Sequence, residues 1–324
     1  MKNDADWKKH LLASDATLEF LVSRTLVEAG FSTNSSMFSS GMKGDDRPIS
    51  INAVGFTPFG DPDSITSDVS LHIDCQMRES TASWLFFPDT NQPDLSEYTL
   101  GTTIRAIDEF SMNSLASDHT YEFEERLPCA GHGIEFGCNR GSDSIRLIDK
   151  FLRRSQFSLP HLFTHSINEV AYAAAITSVP FFICPLIVTN APLYVANSEI
   201  SLDSLQRSKQ LEDIAEQVPY LVTYRSIERV FEEHCSREFG ENLRFDMEYL
   251  QQLQSRKVAF GQAQLAPSDI INGLIEGERY LLDKYFSQFI VCNFEHLPSL
   301  LNYIKNLVSN TVDDNHPSEI MALH

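Results

Sequence analysis

The sequence predicts an α/β protein with one core and with helices concentrated towards the C-terminal end. Three stretches carry this prediction. "SLHIDCQMRES" (70–80) alternates strictly: Leu71, Ile73, Cys75 and Met77 share one parity, and His72, Asp74, Gln76 and Arg78 share the other. That is the pattern of a strand with one buried face and one face on show. "FFICPLIVT" (181–189) is a continuous apolar run, as a strand buried on both faces requires. "SDATLEFLVSRTLVEAGF" (14–31) repeats Leu18, Leu21, Val22 and Leu26 at helical spacing, with Ser14 or Asp15 as cap and Gly30 as terminator.

The remaining elements follow in chain order. After the first helix comes a polar segment, "STNSSMFSSGMKGDD", with room for one irregular strand. "PISINAVGF" (48–56) alternates as a strand does, and "TPFGDPDSITS" (57–67) is dense in turn residues. The stretch at 70–80 is therefore the return strand of a hairpin. "SWLFFP" (83–88) is short and apolar enough for another strand, whereas 89–138 gives no clear periodicity. "RGSDSIRLIDKFLRRSQ" (140–156) returns to helix, with Ile145, Ile148 and Leu152 inward and Arg146, Lys150 and Arg153 on an outward face. The apolar block 171–196 is long enough to span a bilayer, but Pro180, Pro185, Asn190 and Pro192 break it. It reads as a helix end, a buried strand, a turn and a second strand, "LYVAN". "QVPYLVTYR" (217–225) reads as a strand, 226–284 as mainly helical, and "FSQFIVCNFEHLPSLLNYIKNLV" (286–308) as a strand feeding a helix. The expected organisation is an α/β core over 1–205, a helix-rich extension with a closing strand and helix over 206–310, and a flexible tail over 311–324.

Composition narrows the function classes. The 324 residues include 45 acidic and 25 basic side chains, a formal net charge of -20. Non-specific affinity for nucleic acid comes from Lys and Arg displacing counterions, so a nucleic-acid contact on this chain must be a local basic patch. The best candidate is the helix face bearing Arg146, Lys150, Arg153 and Arg154. The six cysteines form no CxxC pair; "CAGHGIEFGC" offers Cys129, His132 and Cys138 without an evident fourth zinc ligand. Reduced thiols and the absence of an apolar leader in "MKNDADWKKHLLASDA" point to a cytoplasmic protein.

The row His72, Asp74, Gln76 and Arg78 aligns an imidazole, a carboxylate, a carboxamide and a guanidinium. Folding the hairpin about residue 63 places Asn52 opposite Asp74, within the ~5 Å of cross-strand neighbours. The same geometry leaves Asp63 at the tip and Asp68 ~20 Å from Asp74 at ~3.3 Å per residue. A literal Pro62-Asp63 therefore does not place its carboxylate beside Asp74.

"LHIDCQMR" resembles the second catalytic strand of the PD-(D/E)xK nucleases, the restriction-endonuclease-like superfamily, where an apolar run is followed by Glu-Cys-Lys. "LEFLVSRTLVEAGF" is similar to the family's first helix, with Glu19 in the place of its glutamate. "ISINAV" is similar to the first catalytic strand, with Asn52 where the family has Asp. The resemblance covers about residues 14–200. It implies a restriction-endonuclease-like mixed sheet flanked by helices and an endonuclease cleaving DNA with Mg²⁺ or Mn²⁺ in restriction, antiviral defence or repair. On that reading Asp74 and Glu19 hold the metal, Asn52 completes its shell and Gln76 orients the attacking water. Arg78 binds phosphate, with His72 as an accessory ligand or proton shuttle. The departures from the family, Asn52 and Gln76, support a second expectation. It is a catalytically inactive pseudo-nuclease that serves as a binding or assembly subunit, with a protein partner or a second copy rather than DNA. Neither reading involves a membrane.

Overall fold

The computed structural model describes residues 6–12, 14–35, 49–60, 65–88, 103–111, 129–137, 147–172, 179–244, 247–259 and 266–313. After a short α1 (Asp6–Leu11), α2 (Asp15–Glu28) presents Leu18, Val22 and Leu26 to the interior. It ends in a Schellman turn: Gly30, at φ +90°, donates its N–H to Val27 O, and Phe31 donates to Leu26 O. A glycine suits that left-handed position because a side chain there would be strained.

The strands are β1 (Ser32–Ser35), β2 (Ile51–Thr57), β3 (Ser67–Gln76), β4 (Ser83–Pro88), β5 (Arg105–Ile107), β6 (Cys129–Phe136), β7 (Phe181–Thr189), β8 (Leu193–Ala196), β9 (Ala215–Val218), β10 (Tyr220–Tyr224) and β11 (Gln288–Asn293). The helices after α2 are α3 (Leu147–Tyr172), α4 (Leu202–Arg207), α5 (Arg229–Asn242), α6 (Met247–Ala259), α7 (Pro267–Glu276), α8 (Arg279–Phe286) and α9 (Leu297–Asp313).

All eleven described strands belong to one mixed sheet. Its order is β1-β2-β3-β7-β11-β10-β6-β4-β8-β9, with β5 added antiparallel to the start of β7. β1, β2 and β3 form an antiparallel meander, and β3, β7 and β11 run parallel. Every residue of β7 is buried, as its unbroken apolar run requires of a strand with parallel neighbours and both faces covered.

Two apolar layers sandwich the sheet. On one face Leu71, Ile73 and Cys75 of β3, with Phe182, Cys184, Leu186 and Val188 of β7, pack under α2 and α9. On the other, Phe181, Ile183 and Ile187 of β7 and Phe289 and Val291 of β11 pack under α3, α5, α7 and α8. The boundary expected at residue 205 falls inside this continuous sheet: β10 and β11 extend it, with β11 paired directly to β7. The "QVPYLVTYR" strand is split in two around Pro219, which has no N–H for a ladder. The tail beyond Asp313 and the unread stretch 112–128 lie outside the described residues. The five described cysteines are free thiols, and Cys138 lies outside the description. Among the described residues, no helix is long and apolar enough to cross a membrane.

The central position of β7 makes a local prediction. Ile187→Ala should lower the unfolding free energy by about 2–5 kcal/mol in urea titrations. Phe20→Ala, on the solvent side of α2, should stay within about 0.5 kcal/mol of wild type.

Candidate functional site

The polar row of β3 is not a solvated face. His72 and Asp74 are fully buried and Gln76 is 3% exposed. The alternation holds from Leu71 to Gln76, where β3 ends, leaving Met77 and Arg78 beyond the strand; α3 covers the polar side as fully as α2 and α9 cover the apolar side. A carboxylate in that position must be paired, since an isolated buried charge costs several kcal/mol.

The pairing comes from α3. Arg154 grips Asp74 with two nitrogens: Nε donates to Oδ2 at 3.2 Å, and Nη2 contacts Oδ1. Gln76 Nε2 donates to Oδ1 at 2.9 Å. One helical turn further on, Ser158 Oγ lies 2.5 Å from His72 Nε2. Ser158 donates its own proton to Ser155 O at 2.7 Å, so it accepts here and His72 carries its proton on Nε2. The spacings match: two strand residues advance ~6.6 Å and four helical residues ~6 Å. The pairs His72–Ser158 and Asp74–Arg154 therefore close together.

Burial decides how the two ionisable groups titrate. It pushes the Asp74 carboxyl up to about 6 against the opposing pull of Arg154 and Gln76. Burial, helped by the nearby His161, lowers His72 to about 3. At pH 7 the row thus holds an ionised Asp74 and a neutral His72.

The other expected site residues are dispersed. Asn52 pairs with His72, not with Asp74, because the hairpin folds about residue 62; the two-residue shift preserves the face. Asn52 Oδ1 is buried with no hydrogen-bond partner among the described residues. Glu19 rides on α2, against the face of β3 that carries Cys75, and it contributes to the raised Cys75 thiol. Because successive strand residues point to opposite faces, the helix that carries Glu19 and the Asp74 side chain lie on opposite sides of the sheet. Asp74 and Glu19 therefore do not form a two-carboxylate metal set as placed. Among the described residues no three His, Cys, Asp or Glu side chains cluster to hold a metal ion.

Nor do the basic residues form one phosphate-facing patch. Arg78 is bound to the buried Glu135, through Nη2 to Oε1 at 2.5 Å and through Nε to Oε2. Glu135 also accepts from Trp84 Nε1 at 2.9 Å, and the Arg78 guanidinium lies 5.9 Å from the Phe151 ring centre. Arg153 is 3.7 Å from Glu228 and lies over Phe157. Arg154 points inward to Asp74. Lys150 alone of the described four is exposed without such an engagement, and Arg146 lies outside the described residues.

Sequence reasoning did not anticipate Arg154, Ser158, Glu135 or Asn190 as partners of this row. Asn190 brackets the Arg78 backbone, accepting from its N–H at 2.6 Å and donating to its carbonyl at 3.0 Å. One signal was present: Ser155, Gln156 and Ser158 interrupt the apolar side of α3, and buried polar residues call for partners; Ser158 finds His72 in the sheet, and Gln156 finds Phe286 O and Arg225 outside it.

No family model matches the chain, and no curated protein or solved structure matches it either.

Two measurements test this account of the row. Arg154→Met should cost about 3–5 kcal/mol in urea unfolding, because it strands a buried carboxylate, and Arg154→Met with Asp74→Leu should recover most of that loss. His72→Gln should improve acid tolerance. The unfolded imidazole takes up a proton near 6.5 and the folded one only near 3, so wild type loses up to about 1.4 kcal/mol per pH unit through this group as pH falls below 6.5. The stability gap between His72→Gln and wild type should therefore shift in favour of the variant between pH 7 and pH 4.5.

Proposed function

We propose that this protein is a nuclease-like α/β protein without catalytic activity, and that it serves as a binding or assembly subunit for a protein partner. The observation that carries this reading is Arg154 on Asp74. In the resemblance to PD-(D/E)xK nucleases, Asp74 is the carboxylate that must face a metal ion. Here its oxygens accept from Arg154 and Gln76 in a fully buried setting.

Magnitudes favour the ion pair. A divalent-cation site with millimolar affinity is worth about 4 kcal/mol. Breaking a buried pair by removing one partner costs about 3–5 kcal/mol. A cation that had to displace Arg154 would thus gain almost nothing, and the second carboxylate expected to assist it belongs to the opposite helical layer. Further support comes from the substitutions Asn52 and Gln76, from the engagement of Arg78 by Glu135, and from a net charge of -20, which repels bare DNA.

The test is cleavage of plasmid and linear DNA with Mg²⁺ or Mn²⁺ by wild type, Asp74→Ala and Asn52→Asp. The expected result is no cleavage by wild type, and equal Mn²⁺ binding by wild type and Asp74→Ala in calorimetry. Cleavage by wild type that Asp74→Ala abolishes would overturn the proposal and restore the catalytic reading. Activity appearing only in Asn52→Asp would identify a degraded nuclease retained for its shape.

A further inference from the structure

A second feature lies on the other side of the sheet. A cleft of about 370 Å³ opens between the β2–β3 hairpin and α9, lined by Thr57, Pro58, Phe59, Thr66, Lys305, Asn306 and Ser309. That volume is in the range of small-molecule sites.

Its walls are built by identifiable contacts. Gly55 leaves room above β2 for two rings: a Cβ there would lie 2.8 Å from Phe31 and 2.9 Å from Phe59. Those rings pack at 5.5 Å between centres, which holds Phe59 at the cleft. Lys305 reaches across from α9 and lies 4.9 Å from the Phe59 ring centre. It also donates to Ala29 O at 2.9 Å, one of the carbonyls left open at the end of α2. An ammonium has three N–H donors, so two remain for a ligand.

The next positions on the helix add uncommitted groups. Asn306 and Ser309 line the same wall, and neither side chain has a hydrogen-bond partner among the described residues. The opposite wall differs: Thr57 is buried and its hydroxyl is engaged by Ser67 at 2.6 Å and Thr66 at 2.9 Å, so the Thr66 oxygen, which donates to Thr57 O at 3.1 Å, stands beside the apolar surfaces of Pro58 and Phe59. The described lining contains no carboxylate.

We propose that this cleft binds a small phosphorylated polyol, with the phosphate on the α9 wall and the hydroxylated carbon skeleton on the hairpin wall. Lys305, Asn306 and Ser309 supply a cation and several neutral donors, which suit a phosphate's charge and its terminal oxygens. Pro58 and Phe59 supply an apolar surface for the carbon–hydrogen face, and the Thr66 hydroxyl, whose proton goes to Thr57 O, can accept from a ligand hydroxyl. The cleft shares no residue with the row on β3, and the proposal does not rest on the function proposed above.

Calorimetric titration of the full chain tests it, with ribose 5-phosphate as probe and ribose and inorganic phosphate as separate arms. Ribose 5-phosphate should bind, inorganic phosphate should compete with it, and ribose alone should bind at least about tenfold more weakly. Lys305→Met should abolish binding. Because Lys305 also holds the end of α2, the double substitution Asn306→Ala with Ser309→Ala provides an independent check and should weaken binding about tenfold, with unchanged thermal unfolding. The proposal is overturned by absence of binding up to about 10 mM, by full affinity in both variants, or by ribose binding as tightly as its phosphate.

Discussion

A carboxylate sealed inside the protein constrains much of this structure. Asp74 lies on a strand whose two faces are both covered, and at neutral pH it remains ionised. An unpaired charge there would cost about 3–5 kcal/mol, a large share of a net stability that is typically about 5–15 kcal/mol. The helix laid over it must therefore deliver a cation at one position, and α3 does so with Arg154. Once that contact is set, the rise of strand and helix brings Ser158 to His72. The buried Glu135 sets the same requirement at the end of the row, and Arg78 meets it. Polar residues in this layer thus fix how α3 sits on the sheet, a specificity that apolar packing supplies less sharply.

This arrangement shapes the functional reading. Four side chains that could serve chemistry on an open face are committed to one another or to a neighbouring element. His72 is kept neutral, the Asp74 charge is balanced by Arg154, Gln76 is turned towards Asp74 and Arg78 is held by Glu135. Asn52 fits the same account. Opposite His72 on the hairpin, it adds a carboxamide and no charge to the layer in which Arg154 already balances Asp74.

The opposite face follows another logic. The contacts of β3 with α2 and α9 are apolar, and polar groups occur where those elements end. The Schellman turn of α2 leaves the Ala29 carbonyl open, Lys305 closes it, and the same lysine stands over Phe59 at the cleft. One face of the sheet thus buries its polar chemistry, and the other displays it at the rim, where solvent and small ligands have access.

Much of the architecture was legible from local signals. The runs "SWLFFP" and "FFICPLIVT" coincide with β4 and β7, and Gly30 closes α2 as its position suggests. These features depend on periodicity and turn chemistry, which neighbouring residues carry. The parity of the 70–80 strand was also legible, because it depends only on the pleat. The hairpin register was not: it depends on the backbone of the turn, and the actual fold about residue 62 moves Asn52 from Asp74 to His72. Least legible was the fate of the polar face. A row of His, Asp, Gln and Arg reads as solvated or catalytic until its partners are known, and the partners Glu135, Arg154, Ser158 and Asn190, supplied by other elements, lie 57 to 112 residues away along the chain. The sequence determined which side chains share a face of β3. Only the tertiary structure decided that the face is buried, because burial depends on which helix lands on it.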